Sequence, residues 1–269
     1  VQQAIAILDS GVGGLTVVKE VMRQLPQEKV IYFGDTARTP YGPRPADEVL
    51  TFTNQLVDYL IQFNPKMIVI ACNTATAVAL EQIRDRLDIP VLGVISPGAR
   101  AAIKTTRSGI VGVIGTEGTI RSKAYEQALK TISPTIQVHS LACPALVPLV
   151  ERGLYFSEEA VDTVRDSLQP LLDKPMDCLI LGCTHYPFLT EAIARVVDPE
   201  VTLISSADET AREISTILYH RGMLATTKDI PVHQFFCSGD AEMFHHITGS
   251  WLREQLLGTP VVWQVPTFV

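Results

Sequence analysis

Little in this chain of 269 residues points to nucleic acid, membrane or disulfide chemistry. Its 22 lysines and arginines are dispersed among 29 acidic residues, for a net charge of -7, whereas phosphate backbones are gripped by clustered positive charge. No nucleic-acid partner is expected. No apolar run approaches the roughly 20 residues that span a bilayer. The opening Val1-Gln2-Gln3-Ala4-Ile5-Ala6-Ile7-Leu8-Asp9 lacks the basic segment and long apolar stretch of a secretory signal. No membrane association and a cytoplasmic location are the expectations. Cysteines number only five, an odd count with no C-x-x-C pair, which argues against a disulfide framework and for free thiols in a reducing compartment. Apolar residues, by contrast, make up 46% of the chain. That is ample for one large or two modest folded domains.

Two of the cysteines occupy matching positions. Met67-Ile68-Val69-Ile70-Ala71 reads as a buried strand that runs into Cys72-Asn73-Thr74 and then a helical pattern. Cys178-Leu179-Ile180-Leu181-Gly182 leads in the same way into Cys183-Thr184-His185. Ligands in open α/β sheets bind at the carboxyl ends of strands, where helix starts aim unpaired N–H groups at anions.

The rest of the chain fits around these two points. Ala4 to Leu8 predicts a strand, followed by the glycine loop Asp9-Ser10-Gly11-Val12-Gly13-Gly14 and a helix over Leu15 to Leu25. The glycine spacing is not that of a dinucleotide loop and no GK[ST] follows. Asp9 is either a turn or cap residue or a ligand group at a strand's end. Lys29 to Gly34 is a strand opening into a polar loop, where Tyr41 and Gly42 offer a hydroxyl and backbone amides. Helices are expected over Ala46 to Phe63 and Thr74 to Leu87, with a strand at Val91 to Val94 and a break at Ser96-Pro97-Gly98.

A similar series then begins. Gly109 to Gly115 is a strand, Thr116-Glu117-Gly118-Thr119 stands where the glycine loop stood, and Ile120 to Ile132 is a helix. Asp9 precedes Cys72 by nearly the interval that separates Thr116 from Cys183, which implies two similar halves. A strand at Ile136 to Leu141, a short helix over Leu146 to Arg152, and a helix capped by Ser157 lead to Cys183. Val201 to Ile204 is the last strand of that half, and Ala207 to Gly222 a long helix leading away. The later segments, Val232 to Cys237, Ala241 to Leu257 and Val261 to Val265, most simply return to complete the first sheet. The expected domains are therefore 1–95 plus 208–269, carrying Cys72, and 96–207, carrying Cys183.

Free cysteine packs well in cores, and Cys143, Cys178 and Cys237 need no other role. Cys72 and Cys183 sit before helix starts, an arrangement that lowers a thiol's pKa from about 8.5 toward neutrality. Two thiols flanking one cleft suit racemisation at a carbon acid, with a proton removed from one face and returned on the other. Asp9 is placed to serve Cys72, and His185 to serve Cys183. Three alternatives remain. Zinc on Cys178, Cys183 and His185 is disfavoured because Cys178 lies inside an apolar strand. A Cys–His hydrolase leaves Cys72 unexplained. A two-lobed amino-acid-binding protein needs no thiols, so Cys72→Ala would leave its affinity intact.

The motifs Asp9-Ser10-Gly11-Val12-Gly13-Gly14, Pro40-Tyr41-Gly42, Ala71-Cys72-Asn73-Thr74-Ala75, Leu149-Val150-Glu151-Arg152-Gly153 and Gly182-Cys183-Thr184-His185-Tyr186-Pro187 together resemble the glutamate racemases of the aspartate/glutamate racemase family. The resemblance runs over essentially the whole chain. It implies two Rossmann-like or flavodoxin-like α/β domains of mostly parallel strands, with the active site between them. It implies interconversion of L- and D-glutamate without metal or organic cofactor, supplying D-glutamate for peptidoglycan and so for cell-wall biogenesis and cell shape, by a cytoplasmic homodimer. By the same resemblance Cys72 takes the α-proton of D-glutamate and Cys183 that of L-glutamate, assisted by Asp9, Glu151 and His185. Ser10, Pro40, Tyr41, Gly42, Asn73, Thr74, Thr116, Thr184 and His185 would line the substrate site with Asp9 and the two cysteines. Aspartate racemases resemble the same scaffold but typically carry glutamate where His185 stands, which favours the longer substrate.

Overall fold

The computed structural model describes residues 3–227, 229–256 and 261–264; of the last four only the backbone is considered. Among the described residues two sheets form, both wholly parallel. The first holds β1 (Ile5–Asp9), β2 (Val30–Gly34), β3 (Met67–Ile70), β4 (Val91–Gly93), and, after the second sheet has been made, β9 (His233–Cys237) and β10 (Val261–Gln264), in the order β10-β9-β2-β1-β3-β4. The second holds β5 (Ile110–Gly115), β6 (Gln137–Ala142), β7 (Cys178–Gly182) and β8 (Thr202–Ser205), in the order β6-β5-β7-β8. The sequence β2-β1-β3-β4 in one sheet and β6-β5-β7-β8 in the other is the same winding used twice. The chain returns at β9 to extend the first sheet beyond β2.

Strands β1, β2, β3 and β7 are buried throughout, as parallel strands covered on both faces must be, which is why they read as unbroken apolar runs. Their alternate side chains feed two different cores. Ile5, Ile7, Met67, Val69, Tyr32 and Phe235 join a cluster that continues through the helices Leu15–Gln24 and Ser206–His220 into Leu179, Leu181 and Cys183 of the second half. Ala6, Leu8, Ile31, Phe33, Ile68, Ile70 and Phe236 face the other way, onto the helices Ala46–Ile61 and Asn73–Arg86. The cluster shared by both halves fixes them against each other. No helix among the described residues is long and apolar enough to cross a membrane.

Three expectations change. Ser96-Pro97-Gly98 is no break but lies in the helix Ile95–Thr105. Pro97 is the third residue of that helix, where backbone N–H groups have no intrahelical partner to lose. The helix expected over Ile120 to Ile132 is two, Glu117–Ser122 and Ala124–Ile132, parted at Lys123 with φ 56°. Ser122 donates its hydroxyl to the Thr119 carbonyl at 2.6 Å and accepts from the Ala124 N–H at 3.2 Å, a local alternative to the helical ladder. The long final helix likewise divides into Ala241–Trp251 and Arg253–Leu256. Leu257 and Val265, the expected ends of the last helix and strand, lie outside the described residues.

At the amino-terminal edge of the first sheet, Lys66 and Glu28 form a buried ion pair at 2.5 Å. Lys66 also donates to the Met223 carbonyl at 2.7 Å, and Glu28 accepts from the Ala225 N–H at 2.7 Å. The pair thereby ties the segment that leads to β9 onto the starts of β2 and β3. Lys66→Met strands a buried carboxylate and is expected to lower unfolding stability by about 3–5 kcal/mol. Glu28→Leu in the same chain should recover much of it. Urea midpoints of the two variants check this, and an unchanged midpoint for Lys66→Met would count against the latch.

Candidate active site

The carboxyl ends of four strands converge where the two sheets meet. Asp9 is the last residue of β1, Cys72 follows β3 by two residues, and Thr116 and Cys183 directly follow β5 and β7. Ser10, Pro40, Tyr41, Gly42, Cys72, Asn73, Thr74, Thr116, Cys183, Thr184 and His185 line one cavity together with Val147. Asp9 and Glu151 do not line it; they stand one layer behind and act through their neighbours.

Contacts between the halves set the cavity's width. Thr184 donates to Asp9 Oδ2 at 3.0 Å, Thr74 and Thr116 share a hydroxyl hydrogen bond of 2.8 Å, and the Gly118 N–H donates to the Gly42 carbonyl at 2.9 Å. Gly13 shows how close the approach is. A Cβ there would lie 2.5 Å from His185 Nδ1 and against Thr184 Oγ1, so only glycine fits beneath those side chains. Asp9 also accepts from the Gly11 N–H at 3.0 Å. It is thus both a turn residue of the glycine loop and an anchor for the opposite half.

The two thiols have unlike surroundings. Cys72 is the N-cap of the helix Asn73–Arg86, its sulfur accepting from the Ala75 N–H at 3.4 Å. The helix end was expected to bring this thiol toward neutrality. Instead burial, followed by the charge of Asp9, pushes it up to about 12, against smaller opposing effects from Ala75 and the Ser10 hydroxyl. Desolvation outweighs the dipole. No α-helix begins at Cys183; the chain turns first into the 3-10 helix Tyr186–Leu189. Its sulfur stands 3.7 Å from His185 Nδ1, and His185 Nε2 lies 2.5 Å from Glu151 Oε1. Burial alone would drive the imidazole toward neutrality, but its hydrogen bonds to Cys183 and Glu151 and their charges carry its pKa well above the ordinary value. Asp9 is raised, chiefly by burial, with the His185 charge opposing.

Residues 10–214 match the family model described as Asp/Glu/hydantoin racemase. The chain belongs to this racemase family. It is 55% identical over 253 residues to the glutamate racemase of Oceanobacillus iheyensis, covering 94% of this chain and 92% of that one. It is similar to the crystal structure of a glutamate racemase isoform from Bacillus anthracis, with a TM-score of 0.93 at 48% identity over 99% of this chain and 98% of that chain. The glutamate racemase of Francisella tularensis, solved in complex with D-glutamate, matches with a TM-score of 0.90 at 32% identity over the same shares.

Within this racemase fold some expected roles shift. The Tyr41 hydroxyl does not face a ligand: it donates to Asp35, which also accepts from Ser238 at 2.6 Å and Arg38 at 2.6 Å. Tyr41 therefore contributes its ring and backbone. Cys178 faces the core formed by Ile95, Ala99, Val111 and Tyr125, while Cys183 belongs to the other cluster, so the proposed zinc set is not assembled. Val147 was missed, although it lies one helical turn before Glu151 on the helix Leu146–Glu151 and so shares its face. Thr119 was missed as well; it hydrogen-bonds to both Thr74 and Thr116, at 3.2 and 3.0 Å, and completes a hydroxyl cluster across the two halves.

The ordering of causes at Cys72 yields a test. Replacing Asp9 by Asn removes the second-largest of the effects that raise the thiol, so the thiolate should form at lower pH. Iodoacetamide labelling of Cys72, followed by peptide mass spectrometry across pH, is expected to shift its midpoint downward in Asp9→Asn. An upward shift would reverse the assignment.

Proposed function

We propose that this chain interconverts L- and D-glutamate by moving the α-proton between two cysteines, and that in the cell it supplies D-glutamate for peptidoglycan. The observation that carries this reading is that Cys72 and Cys183, delivered by different sheets, line the same small cavity, each within reach of its own acid–base partner.

In the L-to-D direction, His185 holds the Cys183 proton as an imidazolium paired with Glu151, and the Cys183 thiolate takes the α-proton of L-glutamate. The carbanion then receives the Cys72 thiol proton on its other face. One C–H bond breaks, one forms, and the charge has passed from one sulfur to the other. On the Cys72 side the free protein matches this starting state, since burial and Asp9 hold Cys72 as a thiol at neutral pH. The reverse direction begins with Cys72 as thiolate and Asp9, the charge within its electrostatic reach, as its partner. The carbanion gains from the site's exclusion of water and from the helix start at Asn73, whose first-turn N–H groups favour negative charge.

The division into 1–95 plus 208–269 and 96–207 is part of the proposal, supported by the strand membership of the two sheets. So is a cytoplasmic homodimer. The location is supported by five free, buried cysteines, and sedimentation of the intact chain as a monomer would remove the dimer.

Incubation with L-glutamate in heavy water, with chelator and without added pyridoxal phosphate, is expected to yield α-deuterated D-glutamate. Cys72→Ser and Cys183→Ser should each lose about 10²–10⁴-fold in turnover. Because enantiomers have equal free energies, kcat/KM must fall by the same factor in both directions. Wild-type rates in either variant would end the two-cysteine assignment.

A further inference from the structure

One residue of the second half reaches into the first at the point where the cavity is least satisfied. Asn73, 2% exposed, lines the cavity, and its Nδ2 has no hydrogen-bond partner in the protein. Its other amide atom, Oδ1, accepts from the Tyr125 hydroxyl at 2.7 Å. Tyr125 belongs to the helix Ala124–Ile132 of the second half and is itself buried.

Oδ1 and Nδ2 are distinguished by their partners. The Tyr125 hydroxyl stands beside the Ser206 side chain. The Tyr125 O–H donates, and the atom receiving it is Oδ1. The amide then presents Nδ2 to the cavity as a donor. Gly98 leaves room for this arrangement: a Cβ there would stand 3.1 Å from Ser206 Cβ and 3.2 Å from the Tyr125 hydroxyl oxygen.

We infer that Tyr125 is a positioning residue for glutamate. Its hydroxyl locks the Asn73 amide so that Nδ2 faces a substrate carboxylate, and it makes that donor available only when the two halves are packed together. Tyr125 acts through Asn73 and needs no contact with the reacting carbon. The inference rests on the racemase reading and names a part of its binding machinery that touches no substrate.

Without the Tyr125 hydroxyl the amide is free to turn its carbonyl toward the carboxylate. An unpaired or repelled carboxylate oxygen costs about a factor of ten in affinity. Since substrate and transition state both carry the carboxylate, the effect falls mainly on KM.

Tyr125→Phe is therefore expected to raise KM about ten-fold for both enantiomers while kcat falls less than about three-fold. In an Asn73→Ala background Tyr125→Phe should have no further effect on KM. If Tyr125→Phe lowers the melting temperature but leaves KM within about two-fold, the hydroxyl is only a packing element and the inference is overturned. If that variant does not fold, a KM within two-fold in Asn73→Ala overturns it. Parental protein that fails to racemise glutamate in the same assay overturns the functional reading itself, an outcome told apart because it appears before any substitution.

Discussion

Two strand edges have to meet across a gap no wider than one small molecule, and most other features of the chain follow from that requirement. The edges are held by short polar contacts that cross from one half to the other: Asp9 with Thr184, Thr74 with Thr116, and Gly42 with Gly118. None is individually strong, since a hydrogen bond contributes about 1 kcal/mol net. Their force comes from the apolar cluster behind them, which is continuous from β1 and β3 to β7. That cluster makes the halves one packed body on the side away from the cavity, and the polar contacts then set the spacing at its mouth.

Burial at the site opposes charge at Cys72 and at His185 alike, with different outcomes. At Cys72 it suppresses the thiolate, and the neighbouring Asp9 suppresses it further. At His185 burial pulls the same way, against the charged form, yet is overcome because both ring nitrogens have partners, Cys183 on one side and Glu151 on the other. Chemically identical thiols thus receive unlike surroundings. The two-cysteine transfer proposed above needs an inequality at the start of each turnover, because two thiols or two thiolates would stall it.

The strands and the paired cysteines were legible in the chain because parallel strands buried on both faces leave uninterrupted apolar runs ending in small polar residues. The return of the final strands to the first sheet was legible from their order alone. Less visible were places where a side chain overrides a local rule. Pro97 reads as a breaker, but in the first turn of a helix it breaks nothing. Ser122 gives no warning that its hydroxyl will divide a helix. Glu151 was reached only through resemblance, since an acidic residue ending a short helix is ordinarily solvated; its role depends on His185, distant in sequence. Tyr41 was credited with a hydroxyl that Asp35 in fact consumes. The helix-end argument at Cys72 had the right sign for its own contribution and failed because desolvation, invisible without coordinates, is larger.

The first sheet is interrupted in sequence, with β9 and β10 pairing beyond β2 only after the whole of the second sheet has been laid down. A chain emerging from the ribosome therefore finishes its four-stranded sheet while β2 is still an unpaired border carrying Ile31 and Phe33. Such borders invite pairing with other chains. Only the synthesis of β9 closes it, so a truncated product lacking β9 would keep every residue lining the cavity and still carry a sticky edge.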